Sequence, residues 1–124
     1  MAKPGHTGFK RIWLSFGYAR QGLKAAWSKE AAFRQQAVLC VVLIPASFWV
    51  GRDLPEQALL IAVCLLTLVV EAINSAIETI IDRIGPERHE LSGRAKDLGS
   101  AAGLLGLVIL VVVWGLVAWD RFLG

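Results

Sequence analysis

Six polar side chains, Thr67, Glu71, Asn74, Ser75, Glu78 and Asp82, recur through an otherwise apolar stretch of the chain. On a helix they project within an arc of about 100°, so they make one stripe. Carboxylates in such a stripe have two natural uses: taking a proton from a reacting group, or holding a hard cation such as Mg²⁺. Another acid, Glu30, stands just before an earlier apolar run. The segment RIGPERHELSGRAKD at 83–97 adds Glu87, His89, Glu90, Arg94, Lys96 and Asp97, mixing acids that suit Mg²⁺ with cations that suit phosphates. Packing is the competing explanation. It suits Asn74 and Ser75, since a hydrogen bond between membrane helices contributes about 0.6 kcal/mol. It suits Glu71 and Glu78 poorly. Such glue needs no charge, and an acid at a bilayer centre costs about 2.5–3.5 kcal/mol on insertion scales.

The elements that must position these side chains follow from composition. With 124 residues, 56% hydrophobic and 19% charged, the chain is too apolar for an ordinary small soluble domain and too short for more than one domain. Whole segments are apolar on every side, which calls for lipid as the solvent. Residues 31–50, 58–81 and 98–119 are each long enough to cross a bilayer, which takes about 20 residues. Trp27 and Trp49 bracket the first of these, about 33 Å apart at helical rise, and Trp119 closes the last, as interfacial anchors do. Arg34 lies inside the first span, near its start. Cys40 and Cys64 both fall within spans and read as small buried hydrophobes. No cleavable signal peptide is expected, because some 30 mostly polar or amphipathic residues precede the first apolar run.

Charge sets the threading. Lys3, Lys10, Arg11, Arg20, Lys24, Lys29 and Arg34 cluster near the N-terminus, and Arg83, Arg88, Arg94 and Lys96 lie between the second and third spans. The 51–57 connection holds Arg52 alone and the C-terminal tail Arg121 alone. The positive-inside rule therefore predicts a cytoplasmic N-terminus and a cytoplasmic 82–97 loop. The net charge of +3 is a topology signal, and no basic face suited to nucleic acid is present. Between about residues 8 and 28, Phe9, Ile12, Trp13, Phe16, Leu23 and Trp27 form an apolar helical stripe, the pattern of a helix lying on the membrane surface. Arg20 interrupts that stripe and Gly17 and Gly22 weaken it, so a break or a snorkelling arginine is expected there. Gly99, Gly103 and Gly106 give the third span small-residue faces for close helix contact. Three thin helices enclose the polar stripe poorly, so its burial is expected to need neighbouring subunits.

Soluble-enzyme motifs are absent. GYARQGLK at 17–24 approaches a phosphate loop but has Leu23 where the lysine belongs and no strand before it. His89 has no second histidine at zinc-helix spacing, and His6 stands apart.

These strings are nevertheless characteristic. EAAFRQ at 30–35, EAINSAIETIIDRIG at 71–85 and ERHELSGRAKDLGSAA at 87–102 closely resemble the prokaryotic diacylglycerol kinase family, with GFKRIW at 8–13 and GYARQGLKAAW at 17–27 extending the likeness over nearly the whole chain. The resemblance implies an all-α membrane protein, a single domain with a surface helix and three transmembrane helices, assembled as a homotrimer in the bacterial cytoplasmic membrane. It implies transfer of the γ-phosphoryl of ATP, with Mg²⁺, to the hydroxyl of diacylglycerol, a membrane lipid, giving phosphatidic acid. By the same resemblance Glu71 is the general base with Asn74 beside it, and Glu30 and Glu78 hold the metal. Arg11, Tyr18, Glu87, His89, Lys96 and Asp97 contact the nucleotide, while Arg11, Glu71, Ser100 and Trp114 serve the lipid substrate. Gln36, where an acid is expected, and Arg88 depart from the family pattern. An undecaprenol kinase, with a longer isoprenoid alcohol as acceptor, and a non-enzymatic ion-handling subunit are the alternatives. The latter would use Glu71 and leave Glu30, Glu78 and the loop without a task.

Overall fold

The computed structural model describes residues 7–124; Lys3 and His6 lie outside the described residues. Four helices follow in order: α1 Gly8–Lys29, α2 Ala31–Val50, α3 Leu54–Ile84 and α4 Glu90–Phe122. The last three are long and apolar enough to cross a membrane. The fold is an all-α membrane architecture, with no strand among the described residues.

Local chemistry explains where the helices start and stop. α3 begins at a strong signal: the Asp53 carboxylate accepts the Glu56 N–H at 3.0 Å and Pro55 occupies the first turn. It therefore starts before the apolar stretch does, and it runs on to Ile84, where Gly85 at φ 152° ends it in a conformation that L side chains rarely adopt. His89 then caps α4, its Nδ1 accepting the Leu91 N–H at 3.0 Å. Arg94, Lys96 and Asp97 thus stand on the opening turns of a helix, and the non-helical part of the expected 82–97 loop shrinks to residues 85–89. Hydropathy marks what is apolar, and a helix continues past it wherever a cap allows.

α1 is continuous through Gly17, Arg20 and Gly22, with no break. Among the described residues its apolar stripe stands largely uncovered. Phe9 is 90% exposed and Trp13 78%, while Ala26, near its C-terminal end, is buried. That is the arrangement of a helix whose apolar face meets lipid. A single extended residue, Glu30, joins α1 to α2 (φ −116°, ψ 107°). Arg34 locks this joint. Its guanidinium donates to the carbonyls of Trp27 at 2.8 Å and Ser28 at 3.3 Å, satisfying acceptors that the end of α1 leaves open. The charge that looked out of place in the first span has returned to its polar end.

α3 is the central element, packing against α2 on one side and antiparallel to α4 on the other. Cys40, Val63, Cys64 and Leu110 form the buried centre, with Leu43, Leu68 and Trp114 packed around it. Both cysteines are buried and free, and the Cys40 thiol donates to the Cys64 carbonyl at 3.2 Å. Trp114 ties α4 to α3 by donating its indole N–H to the Leu60 carbonyl at 3.3 Å. Outside this seam the spans expose their apolar side chains, Val41, Phe48, Leu105, Val111 and Leu116 among them. In water that surface would drive aggregation; lipid tails solvate it.

Candidate functional site

The α2 and α4 sides of α3 enclose the polar stripe unevenly. Thr67 is 3% exposed and turned inward, its hydroxyl donating to the Cys64 carbonyl at 2.6 Å. One turn on, Glu71 is 9% exposed. Asn74, Ser75 and Glu78 are half-buried, and Asp82 is exposed. A single chain therefore already covers Glu71, contrary to the expectation that neighbouring subunits are needed for it; the openness begins at Asn74. The reason is the surface of α4. Gly103 lies opposite Glu71, Gly99 opposite Asn74 and Gly106 opposite Val70, so α4 can approach closely where α3 carries its polar side chains.

The carboxylates of this region share a trait. Glu30, Glu71 and Glu78 form no ion pair among the described residues, whereas Glu56, Glu90, Asp82 and Asp120 all do. α1, which ends at the joint carrying Glu30, packs against α3 as well as α2. Glu78 Oε1 accepts a 3.4 Å hydrogen bond from the Asn74 amide. The other end of that amide, Oδ1, is buried with no hydrogen-bond partner, as is Gln36 Oε1 on α2. Three acids with no cation and two amide oxygens with no donor make a region rich in acceptors, suited to ligands that bring a hydroxyl proton or a metal ion.

Beyond the stripe, the 85–89 connection and the adjoining helix ends form an open cleft of about 540 Å³. Glu87, His89 and Lys96 line it, with Asp82, Arg88 and Glu90. Lys96 Nζ lies 3.4 Å from Asp82 Oδ1, and Arg94 pairs with Glu90 at 3.4 Å. Asp97 is exposed on α4, outside this lining, and Ser100 is exposed beside Gly99. Arg11 lines a separate shallow groove on α1 with Ile12 and Phe16, and Tyr18 is half-buried on the same helix. Trp114 sits far along α4 in the core contact with Leu60. The chain thus brings Glu71, Asn74 and Glu78 together on one face of α3, with Glu30 at the α1–α2 joint, and Glu87, His89 and Lys96 together in the cleft, while Arg11, Tyr18 and Trp114 stand apart from both groups.

With that geometry in hand, comparison with known sequences is decisive. A profile of the prokaryotic diacylglycerol kinase family matches residues 17–118, from the middle of α1 almost to the end of α4. The chain belongs to that family. A diacylglycerol kinase of Escherichia coli is 47% identical over 116 residues, covering 94% of this chain and 95% of the relative. One from Pseudomonas aeruginosa is 53% identical over 110 residues, 89% of each chain, and one from Haemophilus influenzae is 49% identical over 109 residues, 88% of this chain and 92% of the relative. Family membership covers all three spans and the stripe between them. This chain is accordingly a multi-pass membrane protein of bacterial type and a kinase of the prokaryotic diacylglycerol family.

Two features of the site escape a reading of residue types. Gly99 and Gly103 register as packing residues in the sequence, and only the antiparallel alignment of α3 and α4 sets them against Asn74 and Glu71. Their i, i+4 spacing was the visible signal. Arg34, conspicuous as a charge in a span, turns out to fix the joint that carries Glu30.

Proposed function

We propose that the chain transfers the γ-phosphoryl group of ATP to the free hydroxyl of diacylglycerol, giving phosphatidic acid and ADP, with the reacting groups meeting at Glu71 on the cytoplasmic side of the membrane. The observation that carries this is the buried Glu71 carboxylate, which has no ion pair among the described residues and shares its helix face with Asn74 and Glu78. The relatives' names favour diacylglycerol over an isoprenoid alcohol as acceptor.

The step needs little covalent help from the protein. The lipid oxygen attacks the γ-phosphorus, the bond to the β,γ-bridging oxygen breaks, and the hydroxyl proton passes to a Glu71 carboxylate oxygen. Asn74 orients Glu78 through the amide hydrogen bond and stands beside Glu71 on the same face. Glu30 and Glu78 offer hard anionic oxygens without a competing cation, which fits Mg²⁺ arriving with ATP. No group of three His, Cys, Asp or Glu among the described residues makes a self-sufficient metal centre, so Glu30 and Glu78 would hold the ion together with phosphate oxygens and water. When bound, Mg²⁺ neutralises charge on the β- and γ-phosphates. Lys96, Arg88 and His89 line the cleft where the polyphosphate would lie, with Glu87 at its edge. Arg11, Tyr18 and Asp97 are assigned to the nucleotide as well, and Ser100 and Trp114 to the lipid, on the strength of the family pattern. Arg11 and Tyr18 would reach the cleft in a homotrimer, from the same or a neighbouring subunit. The basic N-terminal region and the basic 83–96 segment support an N-terminus and an ATP cleft on the cytoplasmic side of the bacterial inner membrane.

The test is transfer of labelled phosphate from ATP by the pure protein in mixed micelles containing diacylglycerol or undecaprenol. Labelled phosphatidic acid is the expected product. Labelling of undecaprenol alone would reassign the acceptor, and labelling of neither lipid would remove the kinase reading.

A further inference from the structure

α4 turns Gly99, Gly103 and Gly106 toward α3 at i, i+4 and i+7, but the three meet different things. A Cβ at Gly106 would reach Val70 at 3.8–4.0 Å, an ordinary van der Waals contact. At Gly103 it would stand 3.0 Å from Glu71 Oε1. At Gly99 it would collide with Asn74 Oδ1 and come within 3.1 Å of Cγ. Glycine weakens a helix interior relative to alanine. At 106 the space for alanine is there; at 99 and 103 it is taken, in each case by the end of a polar side chain.

A second observation points the same way. Asn74 Oδ1 is buried without a hydrogen-bond donor, so no polar partner holds it in place. The amide is fixed by its single 3.4 Å bond to Glu78 and by the flat surface that Gly99 leaves. Fill that surface, and the amide must rotate and release Glu78. Glu71 is in the same position one turn along, with its carboxylate against Gly103 instead of a side chain.

We infer that Gly99 and Gly103 are positioning residues for phosphoryl transfer: by lacking a side chain they set the orientation of Asn74, and through it Glu78, and of Glu71. This rests on the roles given above to Glu71 and Glu78.

The experiment compares Gly99→Ala, Gly103→Ala and Gly106→Ala with wild type, using the full-length protein in diacylglycerol micelles. A small displacement of reacting groups can cost about 10²-fold, so Gly99→Ala should lower kcat by an amount of that order. It should also raise the Mg²⁺ concentration needed for half-maximal rate, because Glu78 is freed. Gly103→Ala meets only the mobile end of Glu71 and should lose about tenfold in kcat with an unchanged KM for MgATP. Gly106→Ala should behave as wild type. The decisive arm is the double variant. If Gly99 acts through Asn74, adding Gly99→Ala to Asn74→Ala should cost nothing further. Losses that multiply, or an Asn74→Ala enzyme as active as wild type, would overturn the inference for Gly99. Wild-type kcat in Gly103→Ala would overturn it for Gly103, and that variant decides the matter alone should Gly99→Ala not assemble. The side-chain amide resonance of ¹⁵N-labelled Asn74 should move in Gly99→Ala and stay in Gly106→Ala. That readout needs no turnover, so an inactive wild type would remove the kinase reading while the contact could still be confirmed or refuted.

Discussion

The 51–53 end of the α3–α4 pair and the polar stripe within it treat their charges in opposite ways. At the 51–53 end, Arg52 donates to Glu56 at 3.0 Å and also pairs with Asp120 on α4, so one guanidinium ties the start of α3 to the end of α4. Those bonds, Glu56 first and Asp120 second, hold the guanidinium protonated even more firmly than usual. Asp53 caps α3, Gln57 donates to the Gly51 carbonyl at 3.1 Å, and Trp49 packs on Phe122 with ring centroids 5.1 Å apart. Nearly every polar group there is answered by a neighbour. In the stripe that runs toward the other end, Glu71 and Glu78 have no cation and Asn74 Oδ1 no donor among the described residues. An acid that the fold leaves unanswered, where burial is expensive, is waiting for something to arrive.

If that contrast is sound, substitution should abolish chemistry at one end and trim stability at the other. Glu71→Gln should cause the largest loss, about 10²–10⁴ in kcat, while assembly and nucleotide binding persist, because the amide keeps the shape but cannot take the hydroxyl proton. Steady-state kinetics alongside equilibrium nucleotide binding would measure it. Near wild-type kcat would return Glu71 to packing, where Gln should stabilise by sparing a buried charge. Next in size, Glu30→Gln and Glu78→Gln should each raise the Mg²⁺ or MgATP requirement severalfold, since each removes a hard anionic ligand. Metal titrations of initial rate check this; unchanged dependence in both would sink the metal assignment.

The hydrophobic spans and the single acidic stripe were legible in the sequence, because both are periodic properties of one helix at a time. Glu71, Asn74 and Glu78 could be placed on a common face without knowing what faced them. What depends on two helices at once was not legible. Gly99 and Gly103 gain meaning only from the register of α4 on α3, and Arg34 only from the turn of the chain at Glu30. The helix ends also escaped, since α4 starts at Glu90 through a His89 cap, among residues whose polarity reads as loop.

Smaller effects sharpen the comparison. A cysteine at position 53, on a background free of Cys40 and Cys64, should react with an impermeant reagent from the outer face alone; reaction from the cytoplasmic face would reverse the threading. Smallest of all, Arg52→Gln should leave kcat unchanged and lower the thermal midpoint slightly, because exposed ion pairs contribute little individually. A large fall in kcat there would mean that the 51–53 end is not merely structural.

The joint at Glu30 has a mechanical consequence. One extended residue, spanned by the bonds from Arg34 to the Trp27 and Ser28 carbonyls, leaves no slack between α1 and α2, so the two helices are locked in phase. Adding one residue within α1 would turn everything before it by about 100° about the helix axis, swinging Phe9 and Trp13 away from the lipid side. Adding one at the joint would instead shift Glu30 relative to the start of α2. Length in this segment is therefore as constrained as residue identity, and a chain that tolerates many substitutions along α1 should tolerate almost no single-residue insertion there.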